Sequence, residues 1–312
     1  MRLFIFLIFN ITASFFFKAQ AGDNLISSQE LRFDYGGRMI VEVNINDTGP
    51  HNFVVDTAST TMVIFQNMAR TIDVTPIETP DKNIISFAGS KNYPVSRIES
   101  LTVGNRELVN IDAIVLPDWD NFVRTPQGIL GLDFFEDHVA VFDLENNKLE
   151  IYKERPSFLK TKNRKRKNKW ANVPLKRENF DLVSTPLFLV PIKFGYRELH
   201  FLLDTGAEAS VCNFASADFL RVIPKRARTS NQKATVSDAV GKRAESFIFT
   251  PSRVRIAGIE RKDRSLLISD SPFFDAIGYG EEPFGLVGLN YLLDASFAID
   301  FKTGTLFIRK SD

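Results

Sequence analysis

Twice in this chain an apolar run ends on an aspartate that is followed at once by threonine and small residues. The first copy reads Phe53-Val54-Val55-Asp56-Thr57-Ala58-Ser59 and the second Phe201-Leu202-Leu203-Asp204-Thr205-Gly206-Ala207, 148 residues later. A short apolar run bounded by turn-forming residues reads as a buried strand. A carboxylate at the end of such a strand costs free energy unless it is hydrogen-bonded or chemically employed. One motif alone fits a strand closing on a capped turn. Two in 312 residues mark a duplication in which each half delivers one acid.

A companion motif is also doubled. Gly128-Ile129-Leu130-Gly131-Leu132-Asp133-Phe134-Phe135 returns as Gly285-Leu286-Val287-Gly288-Leu289-Asn290-Tyr291-Leu292, and Asp143 and Asp300 share its 157-residue offset. Together these motifs resemble the signatures of aspartic proteases, Asp-Thr/Ser-Gly with an apolar-apolar-Gly strand downstream. The resemblance covers about residues 38–153 and 187–310. It is closer to two fused retropepsin-like protomers than to a pepsin, because the lobes are short and the second copy runs Asp-Thr-Gly-Ala.

The resemblance implies an all-β, bilobal acid-protease fold: two homologous β-barrel lobes with a few short helices. It implies that Asp56 and Asp204 are catalytic and that Thr57, Ala58, Ser59, Thr205, Gly206 and Ala207 support them. Thr57 and Thr205 resemble the pair whose hydroxyls cross-link the two loops. Ala58 departs from the family's glycine and would be strained if its φ had to be positive. Ser59 stands opposite Ala207, which predicts unequal hydrogen bonding to the two carboxylates. The flap of the first lobe is expected in a hairpin over 84–103, with Phe87, Ala88 and Gly89 against substrate. Its mate is expected over 234–249, with Ala239, Val240 and Gly241 at the tip. The implied activity is that of an aspartic endopeptidase acting on extended polypeptide without metal or organic cofactor. The competing reading is a peptide-binding module of the same fold without activity, which Ala58 keeps open.

Composition narrows the alternatives. The net charge of +1 conceals seven lysines and arginines within 160–169; apart from these, Arg2 and Lys18, the chain is acidic, which argues against nucleic acid as partner of the lobes. Cys212 is the only cysteine, so no intramolecular disulfide forms, and it reads as a small buried residue. His51, His138 and His200 show no metal-ligand spacing.

In chain order, residues 1–21 read as a cleavable signal peptide: Met1-Arg2, an apolar run to Phe17, then Ala19-Gln20-Ala21. This predicts a secreted or periplasmic protein, with an uncleaved membrane anchor as the alternative. Residues 22–153 form the N-terminal lobe, with the first strand expected from Arg38 and a turn over Asn46–Pro50. Residues 154–186 form a linker whose basic run 160–169 reads as a tether; contact with an anionic surface and a processing site are the other readings. Residues 187–312 form the C-terminal lobe. Because the duplication supplies its own two-fold axis, a monomer is expected.

Overall fold

The computed structural model describes residues 24–87, 89–118, 126–160, 169–181, 183, 185–222, 233–237 and 243–310. The expected signal peptide (1–21), Ala88, Ala239, Val240, Gly241 and most of the basic run lie outside the described residues. Among the described residues no helix is long and apolar enough to cross a membrane.

The fold is all-β and bilobal, with short helices at strand ends. A seven-stranded sheet built from the first half runs in the order Arg32–Phe33, Met39–Ile45, Thr48–Val55, Gly128–Leu130, Val63–Phe65, Arg106–Leu116, Val95–Val103. Its last strand pairs back onto Met39–Ile45, which closes it like a barrel. The two-residue period is the cause: Met39, Val41, Val43 and Ile45 are all fully buried on the inner face, while Asn44 faces water. Asn46 and Asp47 both adopt positive φ, so the turn is two residues long and the strand restarts at Thr48, earlier than the expected turn to Pro50 allows.

The second half builds a larger sheet around the same kernel. In both halves the strand leading to the aspartate lies parallel to the companion strand: Phe53–Val55 against Gly128–Leu130, and Leu202–Leu203 against Leu286–Val287. In both, the companion strand then runs antiparallel to the strand after the aspartate loop. The companion glycines are explained by packing. A Cβ at Gly128 would fall 2.3 Å from the Phe53 ring, and one at Gly285 2.7 Å from the Phe201 ring. Each half therefore seats the phenylalanine that opens its aspartate motif against a residue with no side chain.

A six-stranded sheet joins the halves, in the order Leu25–Glu30, Lys148–Tyr152, Val139–Asp143, Phe297–Asp300, Thr305–Arg309, Trp170–Pro174. At its centre Phe142 pairs with Phe297, their rings 4.4 Å apart and 14° from parallel, and both are fully buried. Each such ring contributes about 1.5–3 kcal/mol by leaving water. Asp143 and Asp300, the equivalent pair, cap the hairpin turns at the two ends of this arrangement through the N–H groups of Glu145 and Thr303.

This sheet corrects two expectations. The first strand begins at Leu25, ahead of Arg38, and the linker 154–186 carries strands on the C-terminal side of its basic run. Trp170–Pro174 edges the central sheet and Lys176–Glu178 pairs with Leu187–Phe194 of the second half. A third correction concerns the first flap. The hairpin is Lys82–Ser86 with Gly89–Tyr93, turning at Phe87; Pro94 has no N–H to continue the ladder, and Val95–Val103 pairs instead with Arg106–Leu116. In the second half the expected hairpin forms between Lys233–Ser237 and Arg243–Phe249.

Candidate active site

The two aspartate loops meet at the junction of the halves. Each is set by the same local bonds. The Asp56 N–H donates to the Leu130 carbonyl and the Asp204 N–H to the Val287 carbonyl, both at 3.1 Å. Each loop then folds under its own carboxylate. Asp56 Oδ1 accepts from the N–H groups of Ala58 (2.8 Å) and Ser59 (3.1 Å), and Asp204 Oδ1 from those of Gly206 and Ala207 (2.9 Å each). Small residues at these positions let the backbone come that close.

The loops are clamped to one another by threonine. Thr205 Oγ1 accepts from the Thr57 N–H (3.0 Å) and donates to the Val55 carbonyl (2.9 Å). Thr57 Oγ1 accepts from the Thr205 N–H (3.1 Å) and donates to the Leu203 carbonyl (2.8 Å). Both side chains are buried, so these four bonds form without competition from water. They define a local two-fold axis, and they bring together residues 148 apart in sequence. The approach is close enough that a Cβ at Gly206 would lie 2.5 Å from both Cγ and Oδ2 of Asp56.

Electrostatics follow from that proximity. Burial raises the Asp56 carboxyl above the usual carboxylate range, against the N–H groups of Ala58 and Ser59. Asp204 is raised well above it, by burial first and by the Asp56 charge second, against the N–H groups of Ala207 and Gly206. Each aspartate nonetheless keeps part of its surface open, so water can reach it. Two carboxyls in such a setting favour a singly protonated pair at pH values where isolated carboxylates are both charged.

The remaining expectations divide. Ala58 does not adopt positive φ, so its methyl brings no backbone strain. The asymmetry expected from Ser59 is not made. Its hydroxyl donates to the Thr61 carbonyl (2.8 Å), turned away from the carboxylate, which leaves two backbone donors on each side. Phe87 reaches across to the second half: its carbonyl accepts from the Ser271 hydroxyl, and its ring lies 6.4 Å from Phe273 and 6.1 Å from Phe274. Gly89 supplies the positive φ that the turn requires. Cys212 is fully buried and its thiol is pushed upward by that burial.

Two supports escape a reading of the sequence by motif. Asp133 Oδ2 accepts from the Met62 N–H (2.8 Å) and the Thr61 hydroxyl (3.1 Å), bracing the far side of the first loop. Asn290 does the same for the second loop, accepting from the N–H (2.9 Å) and hydroxyl (2.7 Å) of Ser210. Their shared place in the companion motif is the signal that could have found them. The other is Arg38, whose buried guanidinium holds Asp34 (2.5 Å) and stands 3.7 Å from Glu208 on the second loop. Nothing in its sequence setting marks it. A cavity of about 390 Å³ lined by Lys153, Arg155, Lys160 and Lys302 lies elsewhere and includes neither aspartate.

Against this geometry the chain was compared with known proteins. The family model described as aspartyl protease matches residues 41–134, from the first barrel strand through Asp56 to the companion motif. The matched stretch lies within the N-terminal lobe, which is similar to aspartyl proteases. The comparison with curated proteins returned no match. The C-terminal half is structurally like the matched lobe: the same strand kernel, the same loop bonds and the same threonine.

Proposed function

We propose that this chain is an aspartic endopeptidase in which Asp56 and Asp204 share one proton and activate a water molecule for attack on a peptide carbonyl. The observation that carries the reading is the reciprocal threonine clamp, because it sets the two carboxyl loops on one axis and holds them there.

The chemistry follows from the charge state. As in aspartic protease dyads generally, one carboxylate takes a proton from the water while the other carboxyl donates its proton to the carbonyl oxygen. The water oxygen bonds to the carbonyl carbon, and the resulting diol collapses as the nitrogen is protonated and departs. Substrate would lie extended beneath the Lys82–Tyr93 hairpin, pairing by backbone hydrogen bonds. Residues 1–21 would direct export, and the internal two-fold would make the monomer sufficient.

The competing reading, a binding module without activity, rested on Ala58. Its ordinary backbone conformation supports the active reading. The two separate in one experiment. Purified protein is incubated with a peptide mixture between about pH 3 and pH 8, beside Asp56→Asn and Asp204→Asn. The proposal expects cleavage by the wild type and a loss of roughly a thousandfold or more in either variant. Cleavage retained in Asp204→Asn, or binding without cleavage at every pH, would overturn it.

A further inference from the structure

Away from the aspartates, one end of the central sheet forms the wall of the cavity of about 390 Å³. Three separate segments bring charge to it. Lys153, Glu154 and Arg155 follow the strand Lys148–Tyr152, and Lys160 follows the helical turn Ser157–Leu159. Asp300, Lys302 and Thr303 come from the second half, where Phe297–Asp300 turns into Thr305–Arg309. Four cations and two carboxylates therefore meet around one concavity, a surplus of two positive charges.

One of the four cations is neutralised in place. Asp300 is buried, and its Oδ2 accepts from Nε (3.0 Å) and Nη2 (2.8 Å) of Arg155. Nη2 also donates to the Thr303 hydroxyl (2.9 Å), and the guanidinium lies 4.8 Å from the centre of the Phe307 ring. Arg155 is thus a fixed wall. Lys153, Lys160 and Lys302 are exposed, and their ammonium groups make no ion pair among the described residues. Glu154, also exposed, makes none either, so the second carboxylate does not cancel any of them.

We propose that this cavity is a binding site for an oxyanion of the phosphate or sulfate class, held by Lys153, Lys160 and Lys302 against the fixed guanidinium of Arg155. It is independent of the reading of the aspartates. The basis is electrostatic. A sphere of this volume is about 9 Å across, close to the screening length of about 8 Å at physiological salt, so the cations around it still repel one another. A multiply charged anion relieves that repulsion, and each ammonium offers it three donors. The volume also falls within the range of small-ligand sites. Free phosphate and a phospholipid headgroup present the same chemistry, and the test below separates them.

The placing of the lysines gives the site a consequence. Lys153 follows the last strand of the first half, and Lys302 sits in a hairpin of the second. A bound anion would tie the halves together at the central sheet. Because the three segments converge only in the folded chain, the anion binds the folded state and stabilises it by mass action. At about one hundred times its dissociation constant, the thermal midpoint should rise by roughly 4 °C.

The test titrates the full chain with inorganic phosphate and with sulfate, ionic strength being held constant with sodium chloride, and follows heat of binding and thermal midpoint. A second arm sediments the chain with phosphatidylcholine vesicles, with and without phosphatidic acid. The proposal expects saturable binding, weakened about tenfold or more when Lys153→Gln and Lys302→Gln are combined. Lys153→Arg with Lys302→Arg should retain it, and Glu154→Gln, which removes a repelling carboxylate, should tighten it. Saturation by the free ions assigns a soluble ligand. Binding confined to phosphatidic acid vesicles and lost in the glutamine variant assigns a headgroup, and either result supports the site. Binding in both arms that the glutamine variant leaves undiminished overturns the proposal, and so does the lack of saturable binding in both.

Discussion

Replacing Thr205 by valine keeps the shape of the side chain and removes only its hydroxyl. Two bonds go with it: the Thr57 N–H loses its acceptor at 3.0 Å and the Val55 carbonyl loses a donor at 2.9 Å. Thr205 is fully buried and Thr57 nearly so, and water cannot replace the missing partner without opening the loops. A buried polar group left unpaired costs about 1–3 kcal/mol, so Thr205→Val should cost about 2–6 kcal/mol. That is a large share of the roughly 5–15 kcal/mol that keeps a domain folded. Equilibrium unfolding in urea would show it as a lowered midpoint. Thr205→Ser, which retains the hydroxyl, should recover most of the loss. Thr57→Val should cost a similar amount, and the double variant less than the two together, because opening the clamp from one side already frees the other. A Thr205→Val protein within about 0.5 kcal/mol of wild type would refute the clamp as a source of cohesion, the size expected of an ordinary surface change.

The raised carboxyls make a prediction of opposite sign. A group whose folded pKa lies above its unfolded value holds more protons when folded, so stability falls as pH rises from the usual carboxylate range through the raised value. Asp204→Asn removes one raised carboxyl of the pair, and should be more stable than wild type at neutral pH, with a shallower fall in stability as pH rises above the usual carboxylate range in the same unfolding assay. Phe87→Ala removes the ring that leans on Phe273 and Phe274, and amide exchange across 82–93 should accelerate while the central sheet stays protected.

The parts of this fold that were legible in the sequence are those whose cause is local. Alternation from Met39 to Ile45, the glycines at 104, 195 and 304 where the chain turns with positive φ, and the doubled motifs all declare themselves within a few residues. The flanking strands of the central sheet do not. Leu25–Glu30 and Trp170–Pro174 are edge strands held by ladders to partners more than a hundred residues away, and their side chains carry little periodicity. The site divides in the same way. Asp56, Asp204 and both threonines were evident as a repeated pattern. The bracing by Asp133 and Asn290, and the placing of Arg38 beside Glu208, depend on side chains meeting across the fold. The hydroxyl of Ser59 chose a neighbouring carbonyl over the carboxylate, a local competition that residue type alone does not decide.

The central sheet also determines what a cut in the basic run would do. Every strand from Leu25 to Tyr152 lies before Lys160, and every strand from Trp170 onward lies after Lys169. Hydrolysis between those lysines would thus yield two fragments without detaching any of the described strands from either, still riveted through Val139–Asp143 against Phe297–Asp300 and through the paired threonines. Such a nicked molecule would be a heterodimer by covalent structure and the same fold by architecture, and the connection between its halves would be a convenience of synthesis.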